Sequence, residues 1–294
     1  MIRVYTVAGK KLQSGEIVSS KKLHDLGGKV DWLWVDCVDL DNKETAIISD
    51  FFGVEAKILN DINARAQKEK TYPSCERYRD YSLISIPFVE FGKTLQVHPI
   101  SLIMKEKMLI TSRKENSTKI VGKVVETLGS YIIENGEALP SFVVSRLFRE
   151  MGEENSRAMM SLKEQIDKVE EEALENPRDR SVTRSVFGLK REISTLHRLL
   201  WVGKELISDV KECVVPHVKL DEEARVILAD ATDDVDRELE FVDSYSRTLD
   251  SILSLQDLGL IHRLERTLIF LTIILLLLDA LIIFGEYILS TILG

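Results

Sequence analysis

Leu268-Ile269-Phe270-Leu271-Thr272-Ile273-Ile274-Leu275-Leu276-Leu277-Leu278-Asp279 opens the stretch that decides how this chain is built. From Leu268 to Leu293 there are 26 residues, 18 of them Leu, Ile or Phe, which is too apolar for an exposed soluble helix. At ~1.5 Å per residue a helix of that length reaches roughly 39 Å, enough to cross a hydrocarbon core of about 30 Å with some tilt. Only Gly294 follows, so no later segment is at hand to bury it in a soluble core. A single membrane span over 267–294 is therefore expected.

The polar minority of this span falls on one side. At ~100° per residue, with Thr272 at zero, Asp279 lies near −20°, Glu286 near −40° and Ser290 near 0°. Glu265, just before the apolar run, lies at about +20°. Counted from Thr267, Asp279 sits about 18 Å deep, close to the bilayer midplane, and Glu286 about 28 Å deep. A central Asp costs ~2.5–3.5 kcal/mol on insertion scales, whereas each Leu, Ile or Phe returns roughly 0.3–0.6 kcal/mol. The helix can therefore insert with its acids in place. Three uses of the stripe remain open: several copies lining a cation pathway, polar contacts between helices with Asp279 protonated, or a lone neutral acid in lipid.

Outward from the span, His262, Arg263 and Arg266 flank its near side, and no Lys or Arg lies beyond it. The positive-inside rule then expects a cytoplasmic N-terminal part and a short C-terminus outside the cell membrane. Met1 to Val7 reads as a β-strand rather than a signal peptide. Cys37, Cys75 and Cys213 are odd in number and lack CxxC spacing, so neither a disulfide framework nor a zinc site is expected. The formal net charge of −9 argues against a nucleic-acid partner. Much of it is local: Asp221 to Asp243 holds ten acids against Arg225 and Arg237, a net of 2 − 10 = −8.

Residues 1–139 carry the signals of a cytoplasmic α/β domain with a mixed sheet between helices. The strands expected are Ile2–Val7, Trp32–Val38, Tyr81–Val89, Leu95–Met104 and Met108–Ser112. Helices are expected over Glu44–Phe52, stopped by Gly53, over Glu55 to about Lys68, and over Lys119–Glu134. Residues 140–219 read as a long helical hairpin packed on that domain, Ser141–Asn176 and Ser181–Val214, each closed by a proline. A stalk helix over 220–266 begins near Asp221 and runs on into the span, ~70 residues in all. Leu228, Val235, Val242 and Leu249 repeat every seven residues, with Ala231, Tyr245 and Ile252 beside them. Glu238 interrupts that companion seam. Such a seam packs on the chain's own helices or between copies.

No enzyme is expected: the chain has no Gly-rich phosphate loop, GxSxG or HExxH, and no Cys/His pair at useful spacing. Asp230, Asp233, Asp234 and Asp236 form either a solvated helix face or part of a site for a hard divalent cation. Asp230 with Asp233 or Asp234, one turn apart, would supply two oxygen ligands, and a further ligand must then come from elsewhere.

Several motifs together resemble the CorA family of magnesium transporters. They are Trp34-Val35-Asp36, Phe52-Gly53-Val54, Leu59-Asn60-Asp61-Ile62, Tyr78-Arg79-Asp80-Tyr81 and Leu109-Ile110-Thr111. Farther on they are Leu189-Lys190-Arg191-Glu192, Leu200-Trp201 and Leu228-Ala229-Asp230 through Asp233. The resemblance covers nearly the whole chain. It implies a homopentamer in membrane lipid that passes Mg2+ or another divalent cation, its stalk continuing into a pore-lining helix. Thr272, Asp279, Glu286 and Ser290 would then line the pore. It also implies cytoplasmic metal sites bridging subunits, which places Asp61 and Asp230, with Asp233 beside it, as metal ligands. The chain departs from the family in three ways. The Gly-Met-Asn signature is absent, with Phe284-Gly285-Glu286-Tyr287 near its place. Asn60 replaces a usual Glu, and a second membrane helix is expected to be missing. A non-conducting, metal-responsive membrane scaffold or sensor is the alternative reading.

Overall fold

Strand β3 (Leu33–Val38) is buried at every one of its positions, so the sheet that contains it is covered on both faces. The computed structural model describes the backbone of residues 1–8, 11–16, 19–27, 30, 32–65, 72–92, 94–105, 107–135, 139–176, 179–212 and 214–293. Side chains are described for the same residues except 8, 27, 65, 259–260 and 284–293. By its internal contacts the chain divides into two units, residues 1–163 with 192–244, and residues 164–191 with 245–294.

The first unit is built on a seven-stranded mixed sheet. Its strands are β1 (Ile2–Ala8), β2 (Lys11–Glu16), β3, β4 (Ser74–Arg77), β5 (Ser82–Phe91), β6 (Leu95–Lys105) and β7 (Met108–Arg113), in the order β2-β1-β3-β7-β6-β5-β4. Only β3 and β7 run parallel; every other pairing is antiparallel. Alternation along β3 sends Leu33, Val35 and Cys37 to one face, where they join Ile2, Val4, Ile103 and Ile110. That face is closed by α1 (Ser20–Gly27), α2 (Asn42–Phe52) and α3 (Ala56–Arg65) through Leu23, Ile48, Phe52, Leu59 and Ile62.

The ends of α2 are fixed by local chemistry. Asp41 accepts from the backbone N–H groups of Lys43 and Glu44, both at 2.8 Å, while Glu44 accepts from Asp41 N–H at 3.2 Å. This is a reciprocal capping box. The Glu44 carboxylate also receives the N-terminal ammonium of Met1 at 2.9 Å, tying β1 to the helix start. At the other end Gly53 takes φ = 67°, a left-handed conformation that a Cβ would penalise. Helix α4 (Thr118–Asn135) follows β7 and buries Ile120, Val121, Val124, Leu128 and Ile132.

Three long helices follow: α5 (Pro140–Glu175), α6 (Arg180–Lys211) and α7 (Glu222–Leu293). Pro140 occupies the first helical position, where its missing N–H costs nothing. The heptad positions Leu228, Ala231, Val235, Val242, Leu249 and Ile252 are all buried within one copy of the chain, so that seam packs on the chain's own helices. In the first unit, Asn155 on α5 and Lys204 on α6 both bond to side chains of α7. In the second unit α6 meets α7 through Thr183 with Gln256 and Lys190 with Asp250.

The expected strands and helices are present, within a few residues of their anticipated ends where those ends are described; the expected helix end near Lys68 lies outside the described residues. Strands β2 and β4 and helix α1 lie outside the sequence reading. Five of six β2 positions are exposed, so it lacks an apolar stripe and owes its place to pairing with β1.

Candidate functional site

Asp230 and Asp233 project from α7 one helical turn apart and both are exposed. They line a cleft of about 480 Å³ with Ala231, Asp234, Asp236, Arg237 and, from α5, Arg149. The four acids are not equivalent. Asp234 forms an ion pair with Arg237, and Asp236 is held by Lys204 Nζ at 2.5 Å. Among the described residues, Asp230 and Asp233 have neither a hydrogen-bond nor a salt-bridge partner. Carboxylate oxygens are hard donors of the kind that Mg2+ takes.

Asp61 lies on α3 and is exposed, as its place beside buried Leu59 and Ile62 dictates. It does not line the cleft with Asp230 and Asp233, and among the described residues no three His, Cys, Asp or Glu side chains converge as a metal centre. One copy of the chain brings Asp230 and Asp233 together and leaves Asp61 apart.

The apolar part of α7 is the one helix among the described residues long and apolar enough to cross a membrane, and none of its most apolar eighteen-residue window is buried. Leu268 to Leu278 and Leu281 to Ile283 are exposed throughout. Thr272 and Asp279 are exposed as well. The Thr272 hydroxyl donates to Leu268 C=O at 2.8 Å, so its polarity is satisfied inside the helix. Asp279 has no partner among the described residues. Glu286 and Ser290 lie on the helical backbone of α7, but their side chains are outside the described residues.

A buried polar network in the sheet was not apparent from the sequence. Trp34 Nε1–H donates to Thr111 Oγ1 at 3.0 Å, and that hydroxyl donates to Asp36 Oδ1 at 2.7 Å. Arg113 meets the same carboxylate twice, at 3.0 Å and 2.8 Å, and a further guanidinium nitrogen donates to Thr118 Oγ1 at 2.8 Å. Both charged side chains are essentially inaccessible, at 1% and 0% exposure, so this pair knits β3 to β7 rather than binding a ligand. The parallel register Asp36↔Thr111 brings these groups together.

The fold agrees with comparisons to known proteins. The family profile described as CorA-like Mg2+ transporter protein matches residues 29–280, most of the chain. The chain belongs to the CorA-like Mg2+ transporter family. This CorA-like chain is 22% identical over 217 residues to the putative metal ion transporter YfjQ of Bacillus subtilis, covering 73% of the chain and 64% of that protein. It is 22% identical over 179 residues to the cobalt/magnesium transport protein CorA of Thermotoga maritima, covering 58% and 48%. It thus spans about half to two thirds of the length of these relatives. The complete structure of the CorA magnesium transporter from Methanocaldococcus jannaschii superposes with a TM-score of 0.73 at 17% identity, over 92% of this chain and 81% of that one. The family is one of transporters, not enzymes.

Proposed function

We propose that the protein moves divalent cations of the Mg2+ type across a membrane as a homo-oligomer, with the acid stripe of α7 lining the path. The observation that supports this best is Asp279, a carboxylate without a partner among the described residues, in a helical stretch made mostly of Leu, Ile and Phe. An anion there needs a partner or water, and a ring of copies turning this face inward supplies both. A five-fold ring, as the family resemblance implies, would present Thr272, Asp279, Glu286 and Ser290 as successive polar rings. The segments then divide into a cytoplasmic α/β domain (1–139), a helical hairpin (140–219), a stalk (220–266) and the span (267–294). His262, Arg263 and Arg266 keep the first three on the cytoplasmic side.

On this reading Asp230, with Asp233, holds a cytoplasmic Mg2+ together with Asp61 of an adjacent copy. Two unpaired carboxylates from one chain and a third from another would suit a hard cation that keeps several waters. A cation that bridges copies favours the arrangement in which they touch, and so acts as a switch through its differential affinity.

The test is divalent flux into proteoliposomes. Asp279→Asn keeps the size of the side chain and removes the charge, and flux should fall at least tenfold. Unchanged flux would remove Asp279 from the path. A second reading, a non-conducting metal-responsive scaffold, is favoured by Phe284-Gly285-Glu286-Tyr287 standing where the family carries Gly-Met-Asn. It expects no flux from the unsubstituted chain, but Mg2+-dependent protection of Asp230 and Asp61 from carbodiimide labelling.

A further inference from the structure

Glu238 is a buried acid in the middle of the apolar seam of α7, seven residues after buried Ala231 and with 3% of its surface exposed. Two polar groups of α5 meet it, one on each carboxylate oxygen. Ser156 Oγ–H donates to Oε1 at 3.0 Å and Asn155 Nδ2–H donates to Oε2 at 3.2 Å. Several described basic side chains on α5, α6 and α7 face other acids or line the acidic cleft. On α7 itself Arg237 pairs with Asp234. On α6 Lys204 pairs with Asp236, and His197 lies 3.7 Å from Asp243. On α5 Arg157 pairs with Glu153 and Glu154, and Arg149 lines the acidic cleft. Asp234, one turn before Glu238, adds a like charge.

The two partners on α5 suit either protonation state. A serine hydroxyl rotates, and an asparagine amide turned over presents its oxygen, so each donates to a carboxylate and accepts from a carboxylic acid. The surroundings favour the acid. Burial is the main cause that lifts the Glu238 carboxyl from its ordinary value of 4.5 to about 7; Asp234 adds to the lift, and the Ser156 and Asn155 bonds with Arg237 hold it back.

We propose that Glu238 is a proton-binding latch between α5 and α7: the neutral acid closes the seam, and ionisation loosens α7 from α5 at this level. The latch is independent of cation conduction. The folded value exceeds the unfolded one, so the seam is tightest below about pH 4.5 and loosens as pH rises toward 7. Above that it stays equally loose.

The experiment is hydrogen exchange of the full chain in detergent between pH 5 and 8.5, corrected for intrinsic exchange and followed in peptides spanning 150–160 and 231–242. The opening equilibrium of those peptides should rise about tenfold per pH unit from pH 5 to 7 and then level off. Glu238→Gln, which is neutral throughout, should flatten the profile and leave the peptides of β3 and β7 unchanged. If that variant does not fold, Ser156→Ala serves instead: losing one bond to the carboxylate should move the inflection to higher pH. Wild-type protection that does not change from pH 5 to 8.5, or a profile that Glu238→Gln reproduces, would overturn the latch.

Discussion

Asp36 in the sheet and Asp279 on the terminal helix are both carboxylates among apolar side chains. Asp36 accepts hydrogen bonds from Thr111 and, twice, from Arg113, all within one chain. Asp279 has no partner among the described residues, and every described side chain of the terminal stretch 261–283 is exposed. The sheet completes its own polar accounting. The terminal stretch of α7 leaves its apolar side chains and one acid exposed, and on the proposed function lipid covers most of its girth and other copies its polar strip. On the proposed function, folding and transport rest on different regions of the chain, and substitutions in the two should fail in different ways.

The largest effect is expected in the sheet. Arg113→Met leaves Asp36 buried without its counter-charge and should cost roughly 3–5 kcal/mol of stability, read as a fall in the urea midpoint followed by far-UV circular dichroism. Asp36→Leu combined with Arg113→Met removes both charges and should recover much of that loss, since burying two charges is itself expensive. Asp279→Asn, by contrast, should leave the sheet's unfolding midpoint unchanged while reducing flux. If Asp279→Asn unfolded the sheet, the separation would be wrong.

Smaller effects come from the ends of α2. Gly53→Ala forces a Cβ into φ = 67°. The position itself is roomy, its nearest neighbour being Lys105 Nζ at 3.8 Å, so the cost is conformational, on the order of 1 kcal/mol. A clash would cost more, and thermal unfolding distinguishes the two. Asp41→Ala should lower the melting temperature slightly by removing the cap. The N–H groups of Glu44 and Lys43 hold the Asp41 carboxyl below its ordinary 3.8. Its stabilising contribution is therefore present at neutral pH and lost as pH falls below that value, and the gap between variant and wild type should close in acid.

The sequence revealed elements that carry a strong apolar pattern and concealed those that do not. Strand β3, with Leu33, Trp34, Val35 and Val38, announces itself. Strand β2, Lys11-Leu12-Gln13-Ser14-Gly15-Glu16, does not, because five of its six positions are exposed and its place comes from pairing with β1 and from contact with α4. Helix α1 is held by Leu23, and one buried leucine in eight residues gives no period to read. The same limit applied to the site. The neighbours Asp230 and Asp233 could be paired from helical spacing, but that Arg237 and Lys204 occupy Asp234 and Asp236 depends on three-dimensional contacts. Glu238 was visible as an interruption of the seam, yet Asn155 and Ser156, more than 80 positions earlier, could not be assigned to it.

Whether the acid strip of α7 turns toward other copies is tested most directly by cysteine cross-linking in liposomes. The chain would carry Cys37, Cys75 and Cys213 replaced by Ala, and a single cysteine at Asp279 or at Leu281, about 160° further round the helix. The account predicts disulfide-linked dimers from the Asp279→Cys chain and none from the Leu281→Cys chain. Cross-links at Leu281→Cys only, or monomers in both, would contradict it.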